Sequence, residues 1–153
     1  MGLSLFAFLS AFPTAAQVEK VAIRTTGISC GACAAIAEIQ FRRTPGVENV
    51  AISLSTESIT VFYKSGASLD LLRIRRVLQQ LQVGIVQFQI TAVGHVQEVG
   101  TKVFFVAAED KFALENSVAA DIPRERTVRL EGLIDDRFSP VRIKMSRFQS
   151  LQK

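Results

Sequence analysis

The stretch that decides the fold is Gly27-Ile28-Ser29-Cys30-Gly31-Ala32-Cys33, which holds both cysteines of the 153-residue chain. A strand-like run at residues 18–26 precedes it, and residues 34–43 follow with helix-forming composition and no internal breaker. The two thiols therefore lie on a loop that opens a helix. The free N–H groups and positive dipole end of a helix favour the thiolate, which is the form that binds metals and attacks disulfides.

The chain after this loop continues with alternating strand and helix patterns. Apolar and polar residues alternate over 47–54 and 59–63, which predicts two strands joined by a polar turn. A second helix is expected after Ser68 as its N-cap, and a fourth strand over 85–93. The order βαββαβ is the split βαβ arrangement, with two helices on one face of a four-stranded antiparallel sheet. The apolar residues that share one face of the second helix are Leu71, Ile74, Leu78 and Leu81.

Residues 18–93 contain a set of residues with a recognisable spacing, namely Gly27, Cys30, Cys33, Glu38, Pro45, Gly46, Val47 and Gly84. With this set, the segment resembles the heavy-metal-associated domain family, which includes copper chaperones, modules of copper-pumping ATPases and periplasmic mercury-binding proteins. The resemblance implies a ferredoxin-like fold with Cys30 and Cys33 as the metal ligands. Two positions depart from the family pattern, because Ile28 stands where Met is usual and Ile85 where Tyr or Phe is common.

The last third of the chain has a different sequence pattern. Gly94 and Gly100 mark a boundary near residue 96, after which short strands are predicted at 102–107, 111–114, 127–132 and 141–145. Such a rhythm indicates a small all-β module, either a half-barrel or a barrel of loosely OB-like type. The overall prediction is an α+β protein with a heavy-metal-associated domain at 17–96 and a β module at 97–153.

The N-terminus has the layout of a secretory signal peptide. Residues 1–12 form an uncharged apolar run, and Pro13-Thr14-Ala15-Ala16 follows as a cleavage region, although no Lys or Arg precedes the run. The run is too short to span a bilayer. Residues 1–16 are therefore expected to direct export, and the protein is expected to be periplasmic or secreted.

The cysteine pair can bind a metal, exchange disulfides or form a static bridge. The chain has one histidine, His95, and two methionines, Met1 and Met145, so a closed four-ligand zinc site is not indicated. Soft thiolates alone favour Cu(I) first and Hg(II) or another soft ion next. A thiol-disulfide redox protein stays open as an alternative, because the CxxC at a helix start suits it too. In an oxidising compartment the pair could instead close to an inert disulfide.

Other residues give weaker signals. His95 is expected to be a surface residue, and the arginines of the second helix to form a solvated face. Phenylalanines mixed with basic residues in the β module are expected to be core residues and not a nucleic-acid surface. The net charge of +4, spread over the chain, does not indicate nucleic acid either. The arginines in question are Arg73, Arg75 and Arg76, and the phenylalanines are Phe104, Phe105, Phe112, Phe138 and Phe148.

The function predicted from these features is capture and transfer of Cu(I), or of Hg(II), by an exported protein that is not an enzyme. Its expected partners are proteins that donate or accept the metal, with a membrane metal transporter among the candidates. The protein is expected to act as a monomer or as a dimer bridged by the metal. A further alternative is an envelope interaction module that uses the metal-binding fold only as a scaffold.

Overall fold

The computed structural model describes residues 15–115 and 119–151. The predicted signal peptide lies outside the described residues, apart from Ala15 and Ala16. Within the described part of the chain, neither helix is long and apolar enough to cross a membrane. The elements in chain order are β1 Gln17–Thr26, α1 Gly31–Arg42, β2 Val47–Ser53, β3 Ser58–Tyr63, α2 Leu71–Gln80, β4 Gly84–Val99, β5 Lys102–Ala107, β6 Asp110–Leu114, β7 Val128–Asp135 and β8 Arg142–Ser150.

The first six elements form the predicted ferredoxin-like unit. Strands β2, β3, β1 and β4 lie side by side in that order and are antiparallel. Helix α1 packs on β2 and on α2, and α2 packs on β4. The side chains between these layers are fully buried, as Ile23, Ile59 and Leu78 illustrate. The N-cap of α2 is Asp70, whose carboxylate accepts the N–H of Arg73 at 2.9 Å, so the expectation of Ser68 as the cap was wrong by two residues.

The β module is a closed five-stranded ring. Strand β4 pairs with β5, β5 with β6, β6 with β8 in parallel, β8 with β7, and β7 with β4 again. This is the strand order of an OB-type barrel, so the β-barrel prediction is confirmed for this part of the chain. Fully or nearly fully buried side chains fill the ring, among them Phe105, Phe112, Leu130 and Ile143. Phe105 and Phe112 are therefore core residues, as expected. Phe104 and Phe148 are only partly buried, and the expectation was wrong for Phe138, which lies in the β7–β8 loop and is 40% exposed.

Strand β4 belongs to both units. Its residues 88–93 pair with β1 on one edge and with β7 on the other, and residues 95–99 pair with β5. The predicted boundary between residues 96 and 97 falls inside this strand, and the division into two domains at that point stays a prediction. Gly94 lies within this strand, and its position requires glycine because a Cβ there would collide with the carbonyl oxygen of Val106. The cysteine unit and the barrel thus share a continuous sheet.

Helix α2 is also tied to the barrel by two polar contacts. Arg75 binds Asp136 in a two-pronged ion pair, with Nη2 2.7 Å from Oδ1, and this contact lowers the pKa of the Asp136 carboxyl. Leu69, just before α2, donates its backbone N–H to Oδ2 of Asp110 at 2.9 Å. Arg75 is therefore engaged in a link between the units and is not a freely solvated residue.

Asp110 should make the stability of the protein depend on pH. Burial raises the pKa of its carboxyl, the N–H of Leu69 lowers it less, and Glu109 adds to the rise. A carboxyl whose folded pKa lies above its unfolded value of about 3.9 stabilises the fold at low pH, and that contribution is lost as the pH rises through the folded pKa. Asp110→Asn keeps an oxygen acceptor for Leu69 and removes the titration. We expect urea unfolding to show that the free energy of unfolding of the variant rises relative to that of the wild type as the pH rises from about 4 to 7.

The control for this prediction is Asp121→Asn, which removes an exposed carboxylate that has no ion pair among the described residues. A pH-dependent change that both variants share would reflect the general loss of a carboxylate. A difference between Asp110→Asn and the wild type that does not change with pH would contradict the expected pH dependence.

Candidate metal site

The loop before α1 is held in place by backbone contacts and by one buried apolar residue. Gly27 has φ +90°, a backbone conformation that residues with a side chain rarely adopt, and Ile28 is fully buried beneath the loop. Glu57, in the β2–β3 turn, supports the loop through hydrogen bonds. Its carbonyl oxygen accepts both the N–H and the hydroxyl of Thr25 at 2.8 Å, and its carboxylate accepts the N–H of Gly27 at 3.3 Å.

Glu57 is a supporting residue that the sequence analysis missed, because residues 55–58 were interpreted only as a polar turn. Its backbone has φ +46°, which is unusual for a residue other than glycine, and the contacts to Thr25 and Gly27 offset that strain. The available signal was a long acidic side chain in a tight turn, which alone does not identify its partner. The cysteine loop is therefore anchored by a turn that is distant in sequence.

Cys30 and Cys33 meet at the start of α1 and are joined by a disulfide bond. Their Cα atoms are 5.2 Å apart. Cys30 is the N-cap residue, with an extended backbone at φ −125° and ψ 146°, and its Sγ accepts the backbone N–H of Cys33 at 3.0 Å. Cys30 is exposed and Cys33 is half-buried. Both sulfurs are thus brought to one point at the protein surface, with Cys30 the more accessible.

After reduction, the environment of the pair suits thiolates. The first turn of α1 contains no acidic residue, and the N–H of Cys33 points at Sγ of Cys30. An N–H donor and the positive end of the helix dipole both stabilise a negative sulfur. Reduced Cys30 and Cys33 can therefore act as nucleophiles or as soft metal ligands.

The described residues supply no further ligand cluster. No group of three or more His, Cys, Asp or Glu side chains within residues 15–115 and 119–151 could hold a metal ion. His95 is exposed on β4 beside Val106 of the barrel, as expected of a surface histidine, and Met145 is buried in β8. Met1 lies outside the described residues. The candidate site consists of two sulfurs and the backbone that positions them.

Two other positions noted in the sequence have structural roles. Glu38 pairs with Arg42 at 2.8 Å, and Arg42 also donates to Oδ1 of Asn49 at 2.8 Å, so this chain of contacts ties α1 to β2. Ile85 pairs with Thr25 next to the loop and packs, partly buried, against the core. Both residues support the unit that carries the cysteines, and neither offers a sulfur or nitrogen ligand.

No protein-family model and no curated protein matches the sequence. Among solved structures, the chain is similar to the CopZ metallochaperone at 18% identity, over 44% of this chain and 98% of that one, with a TM-score of 0.40. A copper-bound variant of CopA from Bacillus subtilis is 30% identical over 46% of this chain and 92% of its own, with a TM-score of 0.39. The water-soluble region of the P-type ATPase CopA from Bacillus subtilis aligns at 26% identity over 56% of this chain and 55% of its own, with a TM-score of 0.43.

The class of the cysteine-bearing unit follows from its own strand order and loop. A βαββαβ unit with a CxxC loop at the start of its first helix defines a heavy-metal-associated-like domain. Residues 17–93 of this chain are such a domain, and its last strand continues into an OB-type barrel.

Proposed function

We propose that the protein captures a single Cu(I) ion through Cys30 and Cys33 and passes it to a partner protein. The observation that carries this proposal is the convergence of two sulfurs on an exposed loop, without a further ligand cluster in the described residues. Two thiolates alone suit a soft ion that accepts low coordination, and Cu(I) is such an ion. Hg(II) has the same preference and is the second candidate cargo.

Capture requires reduction of the Cys30–Cys33 disulfide. A partner dithiol can supply the two electrons and two protons, and it becomes a disulfide itself. An ion between two sulfurs at about 2.3 Å each, a typical metal–thiolate length, needs the sulfurs about 4.5 Å apart, so the loop must open after reduction. The space beside Gly31 is open, because a Cβ at that position would meet nothing within 4 Å. Binding then releases the thiol protons.

Transfer follows from the exposure of the same site. A partner thiolate can approach the ion from the side of Cys30, which is the exposed member of the pair. The ion passes as the incoming sulfur replaces Cys30 and a second one replaces Cys33. Partners with accessible thiolate pairs, whether a soluble metal donor or a membrane metal transporter, fit this exchange. The role is therefore one of carrying an ion and not of catalysing a reaction.

X-ray absorption at the copper edge tests the proposal. The reduced full chain loaded with one equivalent of Cu(I) should give a spectrum with two sulfur ligands and without nitrogen or oxygen ligands. Copper should then move to a synthetic CxxC peptide added in excess, as followed by copper analysis after gel filtration. A spectrum dominated by nitrogen or oxygen ligands would overturn the proposed site.

We also propose that this exchange takes place outside the cytoplasm. Support comes from the apolar run at residues 1–12 with small residues up to Ala16, and from the disulfide, which suits an oxidising compartment. N-terminal sequencing of the protein recovered from the source cells should begin at Gln17. Recovery of a chain that begins at Met1, in the cytoplasmic fraction only, would contradict export.

Thiol-disulfide exchange is the second candidate function. It is favoured by the exposed disulfide at a helix start, with the N–H of Cys33 donating to Sγ of Cys30. An enzyme of this kind would cycle its disulfide against substrate thiols and would not need copper. Catalysis of insulin reduction by the full chain, at a rate above that of free dithiothreitol, would favour this alternative over metal transfer.

A further inference from the structure

The barrel carries a cavity that has no part in the cysteine chemistry. Its volume is about 470 Å³, and it lies between the starts of β5 and β8, the end of β6 and the β7–β8 loop. This size is within the range of pockets that hold small organic ligands, about 300–1,000 Å³. Much of its wall is apolar, and Phe104 and Phe138 contribute aromatic rings, with Phe138 still 40% exposed. The wall of this pocket, which we call the barrel cavity, is suited to a flat apolar body.

A guanidinium stands at the edge of this apolar wall. The Cζ atom of Arg142 lies over the Phe138 ring, 3.6 Å from its centroid, which is a close cation–π contact. Stacking of this kind uses the face of the guanidinium and leaves its N–H donors at the rim free for hydrogen bonds. Arg142 is thus oriented before any ligand arrives.

Within the described residues, Arg142 has no carboxylate within 4.0 Å. The residue opposite it across the β7–β8 pair, Asp135, is held by Arg137 through contacts of 2.8 and 2.6 Å. Other arginines of the barrel do have partners, as Arg129 binds Glu19 and Arg147 binds Glu131. Arg142 is exposed, and its charge acts on Asp135 and helps to lower the pKa of that carboxyl, but it makes no direct ion pair among the described residues. Its N–H donors therefore remain available to an anion.

We propose that the barrel cavity binds a small organic monocarboxylate with a planar aromatic body. The carboxylate accepts two parallel hydrogen bonds from Arg142, and the body packs against Phe104 and Phe138. Each ring already has a cation over one face, Lys111 at 4.4 Å from the Phe104 centroid and Arg142 over Phe138, so the body uses the remaining ring surface. Lys102, which also lines the cavity, adds positive charge. Glu115 lines it as well and places a negative charge in the wall, which disfavours a ligand with several anionic groups such as an oligonucleotide.

Nuclear magnetic resonance titration of the ¹⁵N-labelled full chain tests this site, with 1-naphthoate as the probe. We expect saturable shifts of the amide signals of residues 102–104, 113–115 and 142, with a Kd on the order of 1 mM or tighter. The neutral analogue 1-naphthalenemethanol should bind at least about tenfold more weakly, because it cannot form the charged contact. Equal binding of the two compounds would overturn the proposal.

Two arginine variants make the test specific. Arg142→Gln should weaken 1-naphthoate at least about tenfold, and Arg142→Lys should recover only part of the loss, because lysine keeps the charge and lacks the planar fork. The matched control is Arg147→Gln, which removes an exposed arginine of the same strand that lies outside the cavity. Equal losses for Arg142→Gln and Arg147→Gln would show a general charge effect and refute the site.

Two further experiments distinguish ligand binding in this cavity from metal binding at the cysteines and from nucleic-acid binding. The Cys30→Ser/Cys33→Ser variant should bind 1-naphthoate as the wild type does, because neither cysteine lines the cavity. A single-stranded dT₁₂ oligonucleotide should not move the same amide signals at concentrations where 1-naphthoate saturates them. Tighter binding of dT₁₂ to these residues would replace the proposal with a nucleic-acid surface.

Discussion

The Cys30→Ser/Cys33→Ser double variant will bind Cu(I) at least about 10³-fold more weakly than the reduced wild type. Serine hydroxyls are hard and stay protonated at neutral pH, so they replace soft thiolates with groups that Cu(I) does not favour. The described residues offer no other cluster of ligands that could take over. Competition for Cu(I) against a chelator, under anaerobic conditions, measures the loss.

The fold of this variant should match that of the reduced wild type, because Cys30 is exposed and Cys33 only half-buried. Ser29→Ala, at an exposed neighbouring position, is the matched control and should bind Cu(I) as the wild type does. Cys30→Ser and Cys33→Ser alone should each lose most of the affinity, since one thiolate cannot hold the ion between two sulfurs. Retention of wild-type affinity by the double variant would place the metal site elsewhere.

Gly94→Ala will lower the free energy of unfolding by about 3 kcal/mol or more. The added Cβ would meet the carbonyl oxygen of Val106 and would lie 2.8 Å from its carbonyl carbon and 3.0 Å from the ring of Phe105. Backbone atoms of a paired strand cannot move aside as a flexible side chain can. Relief therefore requires separation of β4 from its neighbours in the barrel. For a chain of this size the loss corresponds to a fall in melting temperature of roughly 6 °C or more.

Urea unfolding followed by circular dichroism measures this effect. Gly31→Ala is the control, because a Cβ there meets nothing within 4 Å and the residue begins α1. That substitution should be neutral or slightly stabilising, since alanine favours the helix more than glycine does. A Gly94→Ala variant that unfolds within about 0.5 kcal/mol of the wild type would show that β4 is not packed as closely as described.

The ferredoxin-like unit could be predicted because its signals are local. The CxxC loop, the break after α1 and the alternation of β2 and β3 each lie within a few residues, and the described elements follow them closely. The burial of Ile28 could be expected too, because an apolar residue inside a polar loop needs cover. For this unit, the local pattern of residues along the sequence was enough to predict the fold.

The junction between the units could not be predicted in the same way. Gly94 was interpreted as a boundary signal, and the fourth strand was expected to end at Val93, whereas β4 continues to Val99. The role of Gly94 depends on the approach of Val106, which lies in another strand. Closure of the barrel likewise depends on the pairing of β4 with β7, about forty residues later in the chain. Contacts between strands that are distant in sequence do not produce a recognisable pattern in the sequence near the residues that make them.

Of the candidate site, the sequence predicted only the two cysteines. Cys30 and Cys33 could be named from their spacing, but the support from Glu57 could not, because it joins a turn to a loop that is distant in sequence. The cavity beside Arg142 was also invisible in sequence, where Arg142 and Phe138 were only two members of a basic and aromatic set. In both cases the missing information is which side chains the tertiary fold brings together.

The most direct test of the metal-capture account is an anaerobic Cu(I) titration of the full chain against a competing chelator, with the fully reduced and the disulfide-bonded protein measured side by side. We expect the reduced chain to withdraw one Cu(I) per molecule and the disulfide form to withdraw none, because only free thiolates at Cys30 and Cys33 can hold the ion. Failure of the reduced chain to compete, or equal competition by the disulfide form, would contradict capture by this pair.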